Sequence, residues 1–489
     1  MMKKQILLLS VAFMAIGAKA KDPNALPTAQ PMTASDKQTG AKGHAEIVPE
    51  FGGAYDGPQA AYVRTVGQKI AVQSGLSNSQ GDFTITLLNS PVDNAFAIPG
   101  GYVYLTRQIM ALMNNEAEMA SVLGHEVGHV AARHGAQRQS RATKGQLGAL
   151  VLTGLGALLG GSQGAQLGQQ LGSNLAVRYI QKFSRAQEYQ ADDLGVSYLA
   201  KGGYDPIASS TMLAALAAET ALDARVNATP QGNVPKWASS HPDPASRVVR
   251  AADRAKASGA TGKALNRDAF LAALDGILYD DDPKQGVVDG QTFRHPDLKM
   301  TFTAPTGFAV SNGTQAVTVS GSSGRASFAG GPYNGDLNAY IAGVFKAVGD
   351  QNKIAINYGT IEKVQINGLG AARASAEVAG QSGTTTVTVY AYEFAKDQAF
   401  HIMAIHGSTT PGLFNSLFQS VRRLSATEVA SIKPRRIDVV TVRSGDTIEK
   451  LAARMAYTTH QVDRFTVLNA LKPGEALQPG RKVKIVIYG

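Results

Sequence analysis

The sequence predicts a multidomain protein: a mainly α-helical domain with a small β edge, then an α+β domain, then a small C-terminal domain. At 489 residues the chain is too long for one ordinary hydrophobic core, so two to four domains are expected. Apolar residues recur at helical spacing in the first half, whereas alternating strand patterns dominate after about residue 290. The predicted divisions are a signal peptide (1–20), a flexible segment (21–45), a helical domain (46–260), a linker (261–289), an α+β domain (290–425), a second linker (426–436) and a C-terminal domain (437–489).

The composition limits the chemistry that the chain can perform. It contains no cysteine, which excludes disulfides, thiolate metal sites, a cysteine nucleophile and lipid attachment through an N-terminal cysteine. The net charge of +10 favours anionic partners, but the basic residues are spread out rather than gathered into the runs typical of nucleic-acid tails. We therefore expect histidine and carboxylate to supply any metal ligands. An anionic cell wall or membrane surface is a candidate partner, and nucleic acid is not predicted.

The first twenty residues have the pattern of a secretory signal peptide. A basic start at 1–4 precedes an apolar run at 6–16, and Ala18-Lys19-Ala20 fits the small-x-small rule for cleavage before Lys21. The run is shorter than the roughly 20 apolar residues that span a bilayer, although a membrane anchor stays as the alternative. Residues 21–45 are rich in Pro, Thr, Ser and Lys, which predicts a flexible segment. The protein is therefore expected in the periplasm, exported and without a lipid anchor.

The strongest chemical signal is the stretch 124–129, Gly-His-Glu-Val-Gly-His. His125 and His129 are four residues apart, so on a helix they share one face and can bind one Zn²⁺, with Glu126 placed to act as a general base. Asn115 is predicted to cap this helix, with Glu118 three residues later as in a capping box. The apolar residues around the motif predict a buried helix, in which histidines without partners would be costly. The pattern therefore favours a metal site over a structural pair.

A catalytic zinc site needs a third protein ligand, and the best candidate is Glu188 in the stretch 184–192. This stretch predicts a second helix that begins near Ser184. Asp192 lies one turn after Glu188, where it could accept a hydrogen bond from the outer nitrogen of His125 and fix its tautomer. Two solvated carboxylates would be the preferred interpretation without the histidine pair. His134 lies five residues beyond His129 and off its face, so we expect it behind the site or at the surface.

Two other segments are predicted to border the site. Residues 94–105 contain Pro-Gly-Gly turn chemistry before a β-prone run, which predicts a hairpin. Its edge could accept an extended substrate by strand addition, and an ordinary hairpin is equally consistent with these residues. Residues 147–161 are apolar and glycine-rich, and 162–174 are polar. For this insertion three interpretations stay open, namely a packed helical hairpin, a flap over the cleft and contact with a membrane surface.

The motifs together resemble a known family. The pattern HExxH, followed by SRxxExxAD and preceded by NAFAxPGGYxYxT, is similar to the gluzincin metallopeptidases of the Ste24/HtpX superfamily, in particular their soluble periplasmic BepA/LoiP-like branch. The resemblance covers roughly residues 46–260. It implies one Zn²⁺ per chain held by His125, His129 and Glu188, with Glu126 as the general base and Asp192 supporting a ligand.

A further element of this family is matched at residues 240–247, which read SHPDPASR and are similar to HPxxxxR. The resemblance implies that His241 lies near the metal, where it stabilises the oxyanion or occupies the open coordination position in a latent form. Arg247 would belong to the same cluster. The candidate catalytic residues are therefore Glu126, His241 and Arg247.

The second half of the chain predicts two non-catalytic domains. Strand patterns occur at 298–302, 316–319, 360–366, 371–378, 384–394 and 400–406, with helical patterns at 337–348 and 413–421. We expect an antiparallel sheet with helices on one face, serving as a binding or spacer domain. Residues 437–489, with VTVRSGDT at 440–447 and LQPG at 477–480, resemble a LysM domain. The resemblance implies a βααβ fold that binds polymers containing N-acetylglucosamine, usually peptidoglycan, and a small capping domain is the alternative.

These observations predict an exported zinc metalloendopeptidase that is tethered to peptidoglycan by its LysM domain. Misfolded or stalled envelope proteins are the expected substrates. One alternative is a peptidoglycan peptidase that uses the same metal. The other is a chaperone or scaffold in which His241 keeps the zinc site latent.

Overall fold

The computed structural model describes residues 29, 31–76, 82–137, 183–226, 241, 243–314, 316–352, 354–380, 383–472 and 474–489. The predicted signal peptide (1–20) and glycine-rich insertion (147–174) lie outside these residues. Among the helices that fall within the described ranges, none combines the length and the apolar character needed to cross a membrane.

The first part of the chain is mainly helical with a small sheet. Its helices are α1 (Ala34–Glu50), α2 (Pro58–Ala71), α3 (Arg107–Leu112), α4 (Glu116–Ala131), α5 (Arg185–Lys201), α6 (Ala208–Val226), α7 (Pro244–Ala257) and α8 (Arg267–Leu274). Its strands are β1 (Thr84–Leu88), β2 (Ala95–Ile98) and β3 (Tyr102–Thr106), arranged in the order β1-β3-β2. β1 is parallel to β3, and β2 is antiparallel to it. The central strand is therefore β3, and β2 is the edge strand of the hairpin.

The turn between β2 and β3 requires glycine. Gly100 and Gly101 have φ angles of 86° and 84°, in the left-handed region that residues with a Cβ rarely adopt. The Pro-Gly-Gly sequence thus produces the expected hairpin. Helix α4 packs against this hairpin and against α2, so the sheet and the helix form one core.

Helix α1 corrects the expectation of a flexible segment over 21–45. Thr33 caps it with a reciprocal capping box, since Asp36 N donates to Thr33 Oγ1 at 3.1 Å and Thr33 N donates to Asp36 Oδ2 at 2.8 Å. Gly40 allows close contact with the hairpin, because a Cβ there would lie 2.1 Å from Pro99 O. The apolar residues near the end of α1 join a cluster with β1, β2 and β3. Local composition suggested flexibility, but tertiary packing orders residues 34–45, whereas residues 21–28 and 30 lie outside the described residues.

The middle part contains two antiparallel sheets. Its strands are β5 (Val287–Asp289), β6 (Thr292–His295), β7 (Met300–Thr303), β8 (Ala309–Asn312), β9 (Val317–Ser320), β10 (Gly324–Gly331), β11 (Glu362–Ile366), β12 (Leu369–Gly380), β13 (Gly383–Ala395), β14 (Gln398–Gly407) and β15 (Arg422–Arg423). The larger sheet has the order β11-β12-β13-β14-β10-β9-β8, and the smaller has the order β15-β7-β6-β5. Its helices are α9 (Leu337–Asn352), α10 (Asn415–Ser420) and α11 (Ala426–Ser431).

Both faces of the larger sheet are covered, which corrects the expectation of helices on one face. Val387 and Val389 of β13 pack in a cluster with α9. Tyr390 and Tyr392, on the opposite face, pack with Phe418 of α10 and with the smaller sheet. Strands β5 and β6 are short and did not stand out in the sequence, so the smaller sheet was missed.

The C-terminal part has a βααβ order, with β16 (Arg435–Thr441), α12 (Ile448–Ala452), α13 (Gln461–Leu468) and β17 (Lys482–Tyr488). Strands β16 and β17 are antiparallel, and β16 also pairs with β4 (Leu278–Tyr279). The segment 261–289, expected as a linker, therefore supplies α8 and a strand to the fold. The segment 426–436, also expected as a linker, contains α11 and the start of β16. Both short stretches are structured by contacts that are distant in sequence.

Candidate metal centre

Helix α4 begins where its sequence predicts. Asn115 Oδ1 accepts a hydrogen bond from Glu118 N at 2.9 Å, which caps the helix. The returning bond differs from a standard capping box, because Glu118 Oε2 accepts from Asn114 N at 2.6 Å rather than from Asn115. The capped start sets the phase of the helix, and both His125 and His129 are buried on it.

Glycine at the contact of α4 and α5 brings the carboxylates of α5 to the histidines. A Cβ on Gly128 would lie 3.1 Å from Ala191 O, and a Cβ on Gly195 would lie 3.2 Å from His125 N. The two helices therefore approach more closely than larger side chains would allow. Ser184 caps α5 with a reciprocal box involving Gln187, and the first turns of α5 then carry Glu188 and Asp192 toward α4.

Four side chains converge at one point: His125, His129, Glu188 and His241 are all buried, with one potential ligand atom from each within 4.8 Å of all the others. The Nε2 atoms of His125 and His129 are 3.0 Å apart, and each lies 3.6 Å from an oxygen of Glu188. His241 Nδ1 lies 3.1 Å from Glu188 Oε1 and 3.2 Å from His125 Nε2. The structure thus brings together the three predicted ligands and adds His241 to the same set of donor atoms.

Behind these donors, Asp192 and Arg247 form a buried pair next to His125. Asp192 Oδ1 lies 2.9 Å from His125 Nδ1, the nitrogen that faces away from the other donors. Arg247 donates to both oxygens of Asp192 and its Nη1 lies 2.7 Å from Glu188 Oε2. Although burial opposes it, Arg247 holds the pKa of Asp192 well below its usual range. Asp192 is therefore an anion that can fix the tautomer of His125.

Glu126 lies beside the donor set with its carboxylate fully buried. Among the described residues neither of its oxygens accepts a hydrogen bond, and His241 Nε2 lies 3.4 Å from Oε1. Burial raises the pKa of Glu126, and the nearby carboxylate of Glu188 also raises it. A buried carboxylate without a hydrogen bond is costly unless another group joins the site.

The charges and donors fit a divalent cation. Three buried carboxylates, of Glu126, Glu188 and Asp192, face one buried guanidinium of Arg247, which leaves a formal charge of −2 (three negative, one positive) before the imidazoles are counted. Burial and the neighbouring imidazoles lower the pKa of His129 well below its usual value, so that this ring is neutral as a metal ligand requires. Imidazole nitrogens with one carboxylate oxygen are the ligand chemistry of catalytic zinc.

His134 lies behind the site, which is one of the two positions expected for it from the sequence. Its Nδ1 lies 2.8 Å from His129 Nδ1, and its Nε2 lies 2.7 Å from Gln190 Oε1. The helical spacing placed His134 off the face of His129, but α4 ends at Ala131 and Arg133 has a φ of 53°, which turns the chain back toward His129. The ring of Phe183 also stacks on His129, with centroids 3.8 Å apart. Neither contact has a signal in local sequence periodicity.

Comparison with known proteins agrees with this geometry. Residues 58–255 match peptidase family M48, and residues 440–486 match the LysM domain family. The "Beta-barrel assembly-enhancing protease" of Yersinia pestis is 30% identical over 236 residues, which are 45% of this chain and 44% of that protein. The protein of the same name from Escherichia coli (strain K12) is 31% identical over 201 residues, covering 40% of this chain and 38% of that protein. "Mitochondrial metalloendopeptidase OMA1" of Schizosaccharomyces pombe is 28% identical over 220 residues, covering 44% of this chain and 59% of that protein. The similarity spans less than two thirds of the length of each of these relatives.

Proposed function

Because residues 58–255 are a peptidase family M48 domain and residues 440–486 are a LysM domain, we propose that this protein is a zinc metalloendopeptidase of the cell envelope. The observation that carries the proposal is the buried convergence of His125, His129 and Glu188 beside Glu126. In this proposal the first three side chains hold one Zn²⁺ and Glu126 is the general base. The resemblance noted in the sequence is thus confirmed at the level of the domains.

The residues of the site have separable tasks. Zn²⁺, when bound, polarises a peptide carbonyl and lowers the pKa of water at the site. Glu126 removes the proton from the attacking water and returns it to the leaving amine, a task that suits a carboxyl whose pKa is raised by burial. Asp192, held by Arg247, fixes the tautomer of His125 so that Nε2 faces the metal.

His241 regulates access in this proposal. Its Nδ1 lies 3.2 Å from His125 Nε2 and 3.1 Å from Glu188 Oε1, so it could serve as a fourth ligand and thereby exclude water and substrate. We therefore favour the latent interpretation of His241 over oxyanion stabilisation for the arrangement seen here. The alternative is an open arrangement in which the imidazole of His241 has moved away from the other ligand atoms toward the cleft. There the ring would stabilise the oxyanion.

Substrate binding is assigned to the sheet beside α4. Strand β2 is an edge strand of its sheet, and it packs against α4. An extended peptide could pair with β2 by strand addition and pass across the metal site. The possible contact of 147–161 with a membrane surface lies outside the described residues.

In this proposal, the surroundings of the substrate follow from the second family. LysM would attach the enzyme to peptidoglycan, and export by the predicted signal peptide (1–20) would place it in the periplasm, associated with the cell wall or outer membrane. The name of the bacterial relatives refers to β-barrel assembly, which supports misfolded or stalled envelope proteins as substrates. A peptidoglycan peptidase and a chaperone or scaffold with a latent zinc site are the rivals.

Metal analysis paired with a peptidase assay tests the chemistry. Glu126→Gln is expected to keep zinc and fold but to lose hydrolysis by about 10²-fold or more, since general-base catalysis contributes on that scale. Glu188→Ala is expected to lose zinc on dialysis, whereas Glu219→Ala, on α6, serves as a control that keeps it. Full activity in zinc-loaded Glu126→Gln would remove Glu126 as the base.

A substrate comparison tests the biological role. Zinc-loaded protein is incubated with an unfolded outer-membrane protein and, separately, with purified sacculi. Cleavage of the unfolded protein supports the proposal, and cleavage of sacculi alone would establish the peptidoglycan peptidase. Cleavage of neither, together with suppression of aggregation, would establish the chaperone or scaffold.

A further inference from the structure

The LysM domain is packed into the peptidase core rather than held apart on a linker. One hydrophobic cluster contains Leu123 and Val127 of α4 together with Val483, Ile485 and Phe465 of the LysM domain. The segment that follows the peptidase domain also joins the LysM sheet, because β16 pairs with β4 from the segment between α8 and β5. Such continuous burial is unlike the polar interface of two modules that move independently.

Further hydrogen bonds cross the same junction. Ile437 N donates to Ile277 O at 3.0 Å, and Gly276 N donates to Ile437 O at 2.8 Å. Arg267 Nη2 donates to Lys482 O at 2.7 Å. The first two bonds join β16 to the residues just before β4, and the third joins β17 to α8. Domain separation would break them and expose the shared apolar cluster.

Lys484 is a residue of the LysM domain that reaches into the core next to α3. Its side chain is fully buried, and its Nζ donates to the carbonyl oxygens of Ala111 at 2.7 Å, Leu112 at 3.1 Å and Met113 at 2.6 Å. These carbonyls lie at the C-terminal end of α3, where a helix has unpaired acceptors and a partial negative charge. An ammonium group has three N–H donors, so Lys484 satisfies three acceptors at once.

The segment that Lys484 holds leads directly into the metal helix α4. Asn114 and Asn115 follow these carbonyls and form the start of α4 with Glu118, which is buried. Burial raises the pKa of Glu118, and the hydrogen bonds from Thr211 and Asn114 together with the nearby ammonium group of Lys484 oppose that rise. Glu118 and His125 are seven residues apart, two turns of the same helix and about 10 Å along its axis. A shift of the α3–α4 turn would therefore move the histidine ligands with it.

We propose that the LysM domain is a structural part of the peptidase unit, in which Lys484 is a positioning residue that fixes the α3–α4 turn and thereby the metal helix. Glycan binding and peptide cleavage then take place in one rigid body. The cleft keeps a fixed orientation relative to the bound glycan, instead of sampling the surroundings at the end of a tether. A test that measures zinc affinity rests on the proposed metal centre, whereas a test that measures amide hydrogen exchange does not.

Hydrogen exchange of the full-length protein tests the single body directly. Amides of α4 and of β16–β17 are expected to exchange through the same opening, with equal opening free energies across a denaturant series. Opening of β16–β17 at lower denaturant, with α4 still protected, would overturn the proposal. This result is independent of zinc, so a protein that binds no zinc would refute the proposed function without deciding this question.

Two substitutions on β17 test the role of Lys484. In full-length protein, Lys484→Met is expected to lower zinc affinity by about tenfold or more, a loss typical of residues that support metal ligands. Its kcat should fall while KM stays within about twofold, because the substrate edge β2 is untouched. The control Lys482→Met changes an exposed lysine on the same strand and should leave all three values within about twofold.

Binding of the variants to sacculi is measured alongside zinc affinity and kcat. A Lys484→Met protein that retains sacculus binding, zinc affinity and kcat would overturn the positioning role. If Lys484→Met does not fold, Lys484→Met/Glu118→Gln removes both buried charges and takes its place, with Glu118→Gln as its reference. Weaker zinc binding in the double variant than in Glu118→Gln supports the proposal, and equal binding contradicts it.

Discussion

Arg247 donates two hydrogen bonds to Asp192, from Nε to Oδ2 at 2.8 Å and from Nη2 to Oδ1 at 2.5 Å. Both side chains are buried, and the same carboxylate lies 2.9 Å from Nδ1 of His125. The arrangement forms a chain from guanidinium to carboxylate to imidazole. It explains why an arginine on α7, remote in sequence from α4, is part of the metal centre.

Arg247→Gln is therefore expected to weaken both the fold and the metal site. It leaves Asp192 and Glu188 without their buried cation, and breaking such a pair typically costs about 3–5 kcal/mol of unfolding free energy. Arg247→Lys keeps the charge but not the two-pronged geometry, so it should lie between wild type and Arg247→Gln. Chemical denaturation of the metal-free proteins and zinc competition measure the two effects.

Arg250→Gln is the matched control, one turn along the same helix. Arg250 pairs with Asp193 in a partly exposed position, and such pairs contribute about 1 kcal/mol or less. Equal losses in Arg247→Gln and Arg250→Gln would mean that α7 is stabilised uniformly, and the special role of Arg247 would be rejected.

His134 is expected to matter for zinc affinity rather than for peptide binding. If His129 binds metal through Nε2, its Nδ1–H donates to His134 Nδ1, and His134 Nε2–H donates to Gln190 Oε1. His134→Ala removes this support and should weaken zinc binding by about 10- to 100-fold, measured by chelator competition. Gln190→Ala should act in the same direction with a smaller effect.

The control for His134 is His460→Ala, which removes an exposed histidine from the LysM domain. It should leave zinc affinity unchanged. Wild-type zinc affinity in His134→Ala would show that the packing of Phe183 alone orients His129.

What the sequence could predict was local, and what it missed depends on contacts between distant segments. The histidine pair, the cap at Asn115 and strands β11 to β14 follow from spacing within a few residues, and the structure places them within a residue or two of the prediction. Strand β10 (Gly324–Gly331) was not predicted. The contact of His134 with His129 depends on the positive φ of Arg133, which the spacing of residues in the sequence does not reveal.

Lys484 shows the same limit on a larger scale. A lysine in an amphipathic strand is normally solvated, so its burial against α3 could not be expected from the strand itself. Its three carbonyl partners lie more than 370 residues away in the sequence. The pairing of β4 with β16 likewise joins a presumed linker to the LysM domain. Single-sequence patterns carry no information on such partners.

His241→Ala distinguishes the two roles assigned to this residue. If His241 closes the site, its removal should raise kcat/KM on an unfolded substrate by about tenfold, the gain expected if the closed form is favoured by about 1.4 kcal/mol. Zinc affinity should fall at the same time, since one donor is lost. A fall in kcat with unchanged KM would instead assign His241 to oxyanion stabilisation.

Asp281 should make the protein less stable as the pH rises above about 4. Burial and the neighbouring Asp280 raise its pKa from 3.8 to about 6, against the hydrogen bond from Val288 N at 2.8 Å. The folded state thus binds this proton more tightly than the unfolded chain, so unfolding free energy declines between about pH 4 and pH 6 and stays lower above it. Asp281→Asn keeps an acceptor for Val288 and should be more stable than wild type at pH 7.5, by up to about 2–3 kcal/mol.

Denaturation of both proteins across a range of pH tests the direction of this effect. Below about pH 3 the carboxyl is protonated in both states, so Asp281→Asn and wild type should unfold at the same denaturant concentration. Their midpoints should separate as the pH rises to 6 and then stay apart. Asp289→Asn, which changes an exposed carboxylate paired loosely with Arg294, should follow the wild-type curve throughout. A variant Asp281→Asn that is less stable at pH 7.5 would mean that the charge of Asp281 is needed to hold the buried Arg107, whose own pKa is lowered to about 10 by burial although Asp281 raises it.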